Sequence, residues 1–520
     1  MAMRSRSDEA EPTEFRPNLL TWLRGRFRLL YLAPLLAIAA LLAWTLASPM
    51  GSAPDDDYHL ASIWCANPLN TDACEHGAEP NSRLVPEAIR NSACYAGMPE
   101  VSGSCQLQFP LDQNDTVETD RGNFLGQYPP VFYTVMSVLA GPDILASVLL
   151  MRLLNVLLFV GLTVALCVLL PPAQRIALIG GWLIASVPLG IFLLASNNPS
   201  SWALIGVGSS WLALLGFFGS TGRRRIALGV LYVVAVVIAA GARTDAALYV
   251  VLGSAIAIWL TFRRDRGYLL SALLPVVMTI VAIAFYLGSG QQAVASTGLG
   301  SGDLQPVTPL GSHAPTDGFG RLAYNLLYVP TLWVGALGQW GLGWLDTTVP
   351  PVVWVGAAGV FAAVVFAGLV QNNTRKALAV IGMALVLWLL PTYVLMRGGN
   401  IVGENVQPRY LLPLIVLLGG LALLPAGDRL LRLSWLQLSI IGATLAVANA
   451  FALHSNIRRY VTGVDESGVN LDAGAEWWWP VGPSPMATWI IGTLAYAGLL
   501  AVFAWEVKRR GIFRDDRTLA

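Results

Sequence analysis

Residues 142–170, PDILASVLLMRLLNVLLFVGLTVALCVLL, contain one charged side chain after Asp143. About 20 consecutive apolar residues suffice for an α-helix to cross the hydrocarbon core of a bilayer, so this stretch predicts a transmembrane helix. The 520-residue chain is 55% hydrophobic and only 12% charged, whereas soluble domains are about 25% charged. This composition is typical of an all-α polytopic membrane protein. With a net charge of +1 and no basic stripe, the chain shows no sign of a nucleic-acid partner.

Twelve such stretches follow one another along the chain. We predict transmembrane helices at about 28–48, 142–170, 176–195, 200–219, 226–241, 245–262, 269–288, 350–370, 377–396, 409–426, 434–454 and 487–506. Together, residues 28–506 would form one transmembrane domain. The first stretch is long for a signal peptide and ends in Ser48-Pro49, so we expect it to be retained as a helix.

The connections between these stretches alternate in charge. An excess of Lys and Arg marks cytoplasmic loops, and these residues occupy the N-terminal flank and every second connection: Arg24, Arg26, Arg28, Arg175, Arg223, Arg224, Arg225, Arg263, Arg264, Arg266, Arg375, Lys376, Arg429, Arg432, Lys508, Arg509 and Arg510. We therefore expect a multi-pass protein of the cell membrane whose two tails, 1–27 and 507–520, are cytoplasmic.

The remaining connections lie on the outer face in this topology. The largest, 49–130, carries twelve Asp and Glu against three Arg, and the others are 289–349, 397–408 and 455–486. Residues 322–346 are apolar, rich in Trp and interrupted by Gly, which predicts helices lying in the outer interface. Trp477-Trp478-Trp479 are typical of an aromatic belt at the membrane surface.

Four of the five cysteines fall in the first outer loop: Cys65, Cys74, Cys94 and Cys105. Clustered cysteines in an oxidising compartment predict two disulfides, and four cysteines allow three pairings. Free thiols are the alternative. A zinc site is disfavoured because the spacings lack paired C-x-x-C units.

An acidic cluster, Asp55-Asp56-Asp57, follows the first predicted helix and is itself followed by His59. Adjacent carboxylates repel, so that one can retain its proton or recruit a cation. Such a group suits a general base that deprotonates a hydroxyl. An acidic N-cap on a following helix is the alternative. A divalent cation held by Asp55 and Asp56 is compatible with this pattern but not required by it.

Four arginines, Arg152, Arg243, Arg397 and Arg409, lie inside predicted spans or at their outer ends, against the charge trend. An arginine at membrane depth is by default functional or paired. Phosphate is a natural ligand of clustered arginines. Internal ion pairs, such as Arg243 with Asp245, are the alternative.

Two polar or aromatic turns lie near the same outer ends. Tyr128 belongs to QYPPVFY, 127–133, where the large loop returns to the membrane; a rigid helix start is the alternative, because Pro fixes the backbone. Asn198 belongs to SNNPS, 196–200, between two predicted spans. A simple polar turn with Pro at a helix start is the alternative there.

In this order the motifs resemble the GT-C glycosyltransferase superfamily, and more narrowly a bacterial family of uncharacterised predicted membrane proteins within it. That family carries Pro-Pro-Asp-Glu-Pro-x-His-Phe after its first helix. Here residues 53–60 read APDDDYHL, which places Asp55, Asp56 and His59 on its Asp, Glu and His. Its Pro-Pro-Leu-Tyr-Tyr, Asn-Pro-Asp, Gly-Trp-Leu-Asp-Thr and Gly-Arg-Tyr-x-x-Pro motifs are similar to PPVFY at 129–133, NPS at 198–200, GWLDT at 343–347 and PRYLLP at 408–413. Arg243 replaces a family Lys at an outer helix start.

This resemblance, which spans residues 28 to 506, implies an inverting transferase that moves a sugar from a polyprenyl phosphate to a cell-envelope glycan acceptor. Asp55 or Asp56 would be the general base, and His59 would orient it or bind the acceptor. The substrate-binding candidates are Arg243, Arg409, Tyr410, Arg397, Arg152, Tyr128 and Asn198. We expect the carboxylates about 10 Å from the guanidinium groups, which leaves room for a sugar ring. A transporter or lipid-linked-sugar flippase is the alternative, as is a non-catalytic scaffold.

Overall fold

A computed structural model describes residues 29–67, 74–112, 114–294, 315, 317–370, 372–426 and 433–509. The basic N-terminal flank, Arg429, Arg432 and residues 510–520 lie outside these ranges. The predictions that rest on them are therefore not addressed by the structure.

Nine helices within the described residues are long and apolar enough to cross a membrane. They are Leu29–Leu46, Ile144–Leu169, Ser200–Phe218, Thr244–Thr261, Arg266–Leu287, Pro351–Gly368, Thr374–Gly398, Trp435–Val461 and Pro485–Arg509. Eight of them coincide with predicted spans to within three residues at each end, whereas Trp435–Val461 continues seven residues beyond the predicted end at 454. The prediction of a multi-pass helical membrane protein is confirmed for these elements.

The other three predicted spans correspond to helices that are shorter or more basic. The stretch 176–195 is divided into Pro172–Ala185 and Leu189–Leu194, because Pro188 lacks the N–H that a continuous helix needs. Gly222–Ala240 begins with three arginines, and Pro408–Leu423 has only 16 residues. The total of twelve spans, and the cytoplasmic placement of both tails, stay predictions.

Helix Ser200–Phe218 forms the centre of the bundle, because its side chains from Ser200 to Phe217 are all buried. It packs against Gly222–Ala240, Thr244–Thr261 and Pro408–Leu423. Small residues allow this close approach: a Cβ at Gly206 would collide with the carbonyl oxygen of Ala235. All of these helices except Gly222–Ala240 begin at the end of the bundle that contains the acidic cluster.

The helices at the periphery of the bundle expose apolar side chains, as expected where lipid replaces water. The first helix packs against Pro485–Arg509 and Ile144–Leu169. Large exposed hydrophobic residues include Leu35, Val168, Leu270 and Phe366.

The loop 49–130, which we predict to lie on the outer face, is a small folded unit. Strands Arg83–Pro86 and Thr116–Thr119 form an antiparallel hairpin in which Leu84 is opposite Glu118. Helices Asp56–Cys65, Glu87–Arg90 and Val131–Ser137 and the 3-10 helix Gly103–Gln108 complete it. The disulfides are Cys65–Cys74 and Cys94–Cys105. The predicted disulfides are thus confirmed, with sequential pairing, and the free-thiol and zinc alternatives are wrong for these four cysteines.

The segment predicted as interfacial helices, 322–346, belongs mainly to one helix, Gly318–Val334, which continues into a short π-helical turn, Gly335–Gln339. Trp388 Nε1 donates to the carbonyl of Leu326 at 2.8 Å, so this helix packs along Thr374–Gly398. Its position relative to the membrane surface stays a prediction. The aromatic-belt interpretation is wrong for Trp478 and Trp479, because both are buried.

Candidate functional site

Asp55 and Arg409 form a direct ion pair at the end of the bundle that carries the disulfide-bonded loop. Arg409, in the first turn of Pro408–Leu423, places Nη2 2.6 Å from Asp55 Oδ2 and donates from Nη1 to the carbonyl of Pro54 at 2.7 Å. The side chain of Arg409 is 3% exposed and that of Asp55 is 32% exposed. The two residues meet at one end of the molecule, as expected from the sequence. The expected separation of about 10 Å between carboxylate and guanidinium is wrong for this pair, because the two groups are in contact.

Asp55 has an unusual backbone for an aspartate. It occupies the N-cap position of Asp56–Cys65 with φ +65° and makes no capping hydrogen bond with its side chain. The acidic N-cap interpretation is therefore wrong for Asp55. A non-glycine residue in this region is uncommon and costs energy. Here the conformation directs the carboxylate away from the helix and toward the arginines.

The charge state of Asp55 reflects these neighbours. Burial alone would raise the pKa of Asp55, but the guanidinium groups of Arg409 and Arg121 hold this pKa below its usual value. Arg121 follows strand Thr116–Thr119 and lies with Nη2 3.7 Å from Asp55 Oδ1. It also makes a bidentate pair with Asp57, at 2.6 and 2.9 Å. Asp55 is thus a partly exposed carboxylate between a buried arginine and an exposed one.

Asp56 is fully buried, unlike Asp55. Its carboxylate accepts hydrogen bonds from the backbone N–H of Ala53 at 3.1 Å and from Asn198 Nδ2 at 3.2 Å. Burial raises the pKa of Asp56 to about 7, although Arg152 and these hydrogen bonds oppose the rise. Asn198 Nδ2 also donates to the carbonyl of Pro54 at 2.8 Å. Asn198 and Asp56 therefore fix the backbone immediately before Asp55.

His59 is buried in a group of tyrosines. Its Nδ1 lies 2.9 Å from the hydroxyl of Tyr133, and its ring packs edge-on against Tyr58 and Tyr128. Burial lowers the pKa of His59 well below its usual value, which favours a neutral imidazole. Nε2 has no hydrogen-bond partner among the described residues. The sequence identified His59 and Tyr128 but not Tyr133, whose pairing depends on the fold of the loop.

Tyr410 lies between two arginines. The guanidinium of Arg409 is 5.1 Å from the centre of the Tyr410 ring, and that of Arg243 is 4.9 Å from it, within the range of cation–π contacts. Arg243 also pairs with both oxygens of Asp245, at 2.9 and 3.0 Å. The ion pair proposed as the alternative for Arg243 thus exists. Arg243 is also 5.8 Å from the ring centre of Tyr128.

Asn123 is a further residue of this cluster that the sequence did not reveal. Its Oδ1 accepts from the backbone N–H of Tyr128 at 2.7 Å, and its Nδ2 donates to the carbonyl of Tyr128 at 3.0 Å. Tyr58 donates to the same Oδ1 at 3.4 Å. An isolated asparagine in a loop carries no charge pattern that would predict such a clamp.

Arg152 and Arg397 lie apart from this pair of arginines. Arg152 is fully buried and donates to the carbonyls of Thr45, Ser48 and Pro49 at 2.6–2.9 Å and to Asn197 Oδ1 at 2.7 Å. It therefore holds main chain in place. Arg397 is exposed in the last turn of Thr374–Gly398.

The backbone that leads from the first helix to Asp55 is held at every carbonyl from residue 45 to 54. The carbonyl of Ala53 accepts from the backbone N–H of Asp56 at 3.0 Å. The other nine accept from side chains that lie 45 or more residues away in the sequence: Tyr95, Arg152, Asn198, Trp344, Arg409, Asn456, Tyr460 and Trp479. Asp55 thus follows a segment in which every main-chain carbonyl accepts a hydrogen bond.

The donor set around the two aspartates does not fit a cation. The oxygens of Asp55 face guanidinium groups, and those of Asp56 face N–H donors. Among the described residues, no group of three or more His, Cys, Asp or Glu side chains is arranged to hold a metal ion. A cavity of about 250 Å³ lined by Arg263 and Arg375 lies where Ser200–Phe218 and Thr244–Thr261 end, at the end of the bundle opposite to Asp55.

Comparison with known proteins places the cluster within a family. The family described as Predicted membrane protein (DUF2142) matches residues 38–418, a range that includes both Asp55 and Arg409. The crystal structure of ArnT from Cupriavidus metallidurans bound to undecaprenyl phosphate is similar over 90% of this chain and 77% of that chain, with 17% sequence identity and a TM-score of 0.38. No curated protein matches the chain.

Proposed function

This chain belongs to the DUF2142 family of predicted membrane proteins, and we propose that it is a membrane glycosyltransferase. In this proposal it moves a sugar from a polyprenyl-phosphate donor to a glycan acceptor of the cell envelope at the outer face. The observation that carries the proposal is the meeting of a partly exposed carboxylate, Asp55, with two buried arginines, Arg409 and Arg243, around Tyr410.

Asp55 is assigned as the general base. It is the partly exposed member of the pair, whereas Asp56 is buried and fully hydrogen-bonded. A base must reach the proton that it removes, and of Asp55 and Asp56 only Asp55 is exposed to solvent. Asp56, together with Asn198, is assigned to hold the backbone immediately before Asp55.

Arg409, Arg243 and Tyr410 are assigned to the donor phosphate. Guanidinium groups match the geometry of phosphate oxygens. Helices Ser200–Phe218, Thr244–Thr261 and Pro408–Leu423 begin beside these residues, and helix N-termini favour anions. The N-termini of three helices and two arginines therefore supply donors that suit a leaving phosphate.

The reaction then needs only groups that the cluster contains. The acceptor hydroxyl loses its proton to the carboxylate of Asp55 as its oxygen forms a bond to the anomeric carbon. The bond between that carbon and the phosphate oxygen breaks, and the electron pair leaves with the polyprenyl phosphate. Arg409 and Arg243 stabilise the negative charge that develops on the phosphate, which is often the largest single contribution to catalysis.

Lipid binding tests the first half of the proposal. Purified protein in detergent is titrated with undecaprenyl phosphate and, as a matched control without the phosphate, with undecaprenol, and bound lipid is measured by native mass spectrometry. We expect undecaprenyl phosphate to bind much more tightly, and Arg409→Ala to remove the difference. Equal binding of the two lipids would contradict the assignment of the arginines.

Sugar transfer tests the second half. Membranes that contain the protein are supplied with polyprenyl-phosphate sugars labelled in the sugar, and label is followed into envelope glycan. Asp55→Asn should reduce transfer by about 10²–10⁴-fold, the usual contribution of general-base catalysis. A flippase would bind the lipid and move label across the membrane with no transfer and with little effect of Asp55→Asn.

A further inference from the structure

In the proposed function, Arg409 has two anionic partners, the carboxylate of Asp55 and the donor phosphate. It is bound to Asp55 in the lipid-free protein, at 2.6 Å, and it is also the residue assigned to the donor phosphate. Its Nη1 is held by the carbonyl of Pro54 at 2.7 Å, and its Nη2 is shared between Asp55 Oδ2 and the hydroxyl of Tyr410 at 3.3 Å. A phosphate that binds through Nη2 must therefore replace the carboxylate of Asp55.

Part of Arg409 is already prepared for a second acceptor. Its Nε is buried and has no hydrogen-bond partner among the described residues. A buried charged donor without a partner is costly. An acceptor with several oxygens, such as phosphate, satisfies Nε and Nη2 together, which one carboxylate oxygen cannot do from its present position.

Asp55 also has a second partner toward the aqueous side. Arg121 Nη2 lies 3.7 Å from Asp55 Oδ1, which is longer than a hydrogen bond. Arg121 itself is anchored by two hydrogen bonds to Asp57 and by its backbone N–H, which donates to Thr119 Oγ1 at 3.1 Å. With its side chain 44% exposed, Arg121 can follow a small movement of the Asp55 carboxylate.

The backbone confines that movement to the side chain. Every carbonyl from residue 45 to 54 is hydrogen-bonded, so the main chain before Asp55 has little freedom. The φ of +65° at Asp55 is retained against its intrinsic cost. A change of partner at Asp55 thus requires a rotation of the carboxylate rather than a movement of the loop.

We propose that Asp55 and the donor phosphate compete for Arg409, and that Arg121 is the positioning residue that holds the carboxylate of Asp55 once the phosphate has displaced it. The inference rests on the proposed function and adds an order to it. Donor binding frees the base, because a carboxylate no longer paired with Arg409 accepts a proton more readily. The acceptor is then deprotonated only when a donor is present.

Affinity for undecaprenyl phosphate, measured in detergent by native mass spectrometry, tests the competition without any transfer assay. Asp55→Asn should tighten binding by at least about fivefold, the lower end of typical coupling between sites. Asparagine tolerates the left-handed backbone at this position, so the fold is retained. Asp115→Asn removes the same charge from an exposed side chain of the loop 49–130 that pairs with neither Arg409 nor Arg121, and it should leave the affinity within twofold of the wild type.

Arg121 is tested by a double-mutant cycle with the same measurement. Arg121→Ala should weaken undecaprenyl phosphate binding, because Asp55 then has no alternative to Arg409, and Arg121→Lys should restore it in part. In the Asp55→Asn background, Arg121→Ala should have no effect. An equal loss in both backgrounds would show that Arg121 only supports the loop.

The outcomes separate this inference from the proposed function. If the wild type and Asp55→Asn both fail to prefer undecaprenyl phosphate over undecaprenol, the assignment of the arginines to the donor phosphate is wrong, and so is the inference. If the wild type binds the phosphate but Asp55→Asn binds no more tightly, or if Asp115→Asn tightens binding equally, the competition is wrong and the proposed function stands.

Discussion

The hydroxyl of Tyr95 donates a 2.6 Å hydrogen bond to the carbonyl of Met50, five residues before Asp55. Both residues are completely buried. Tyr95 follows Cys94, which is linked to Cys105, so this bond connects the disulfide-bonded loop to the segment that carries the proposed base. The loop is therefore part of the structure that positions Asp55.

Tyr95→Phe tests this connection. Loss of the hydroxyl leaves a buried carbonyl without its donor, which costs about 1–3 kcal/mol, and loosens the segment before Asp55. We expect the kcat of sugar transfer to fall about tenfold, since small misplacements of a reacting group are costly, while the KM for the donor changes little. Steady-state kinetics give both numbers.

Tyr232→Phe is the matched control. The hydroxyl of Tyr232 is also buried and makes one hydrogen bond, to Ser254 Oγ at 2.8 Å, but it joins two membrane helices away from Asp55. The control should lower thermal stability without a fall in kcat. A similar fall in kcat for both variants would show that Tyr95 acts through general stability.

Much of the fold could be predicted because it depends on the length and polarity of segments. Nine helices match predicted spans because burying that many apolar residues leaves few alternatives in a membrane. The convergence of Asp55, Arg243 and Arg409 also followed from the predicted topology, which placed all three at helix ends on one side of the membrane. The sequence could not predict the distance between Asp55 and Arg409. A motif indicates which residues lie near each other but not whether they are in direct contact.

The residues that were missed make contacts that leave no pattern in a sequence. Arg121 reaches Asp57 only because the hairpin of the first loop returns to the helix that carries Asp57. Asn456 and Trp479 donate to main-chain carbonyls, and a carbonyl is present at every residue. Arg152 was expected to be paired or functional, but backbone acceptors could not be distinguished from a ligand.

The pH dependence of stability should reveal Asp56. Its pKa is about 7 in the folded protein and 3.8 as the ordinary value. Because the folded value is raised, the stabilising contribution is complete below pH 3.8 and is lost as the pH rises through 7. A change of one in pKa corresponds to about 1.4 kcal/mol, so the effect is on the order of a few kcal/mol.

The measurement is the melting temperature between pH 5 and pH 8. Relative to Asp56→Asn, the wild type should lose stability across this range, because only the wild type must ionise a buried carboxyl. Asp57→Asn, at a partly exposed position, serves as the control and should follow the wild type. Parallel curves for the wild type and Asp56→Asn would show that Asp56 is already ionised at pH 5.

Membrane topology follows from the alternation of charge. Reporter fusions after Arg225, Arg266 and Lys376 should report the cytoplasm, and those near Cys94 and Glu466 should report the outside, because basic loops remain on the cytoplasmic side. Paired cytoplasmic and external reporters at each site provide the control. Two or more inverted sites would reject the twelve-helix arrangement.

The two disulfides should differ in their effect on the site. Thiol labelling of the purified protein should find Cys65, Cys74, Cys94 and Cys105 blocked until reduction. Loss of a native bridge typically costs 2–5 kcal/mol in small secreted domains, so both paired Cys→Ser variants should destabilise the first loop.

The bridge that encloses Tyr95 should change catalysis more than the other bridge does. Cys94→Ser with Cys105→Ser loosens the turn that carries Tyr95 and, with it, the hydrogen bond to Met50. Sugar transfer by this variant should fall at temperatures where the protein remains folded. Cys65→Ser with Cys74→Ser opens a bridge at the far end of Asp56–Cys65 and is the matched control, with a smaller loss. A larger loss in the control would show that the loop positions Asp55 through helix Asp56–Cys65 and not through the contact of Tyr95 with Met50.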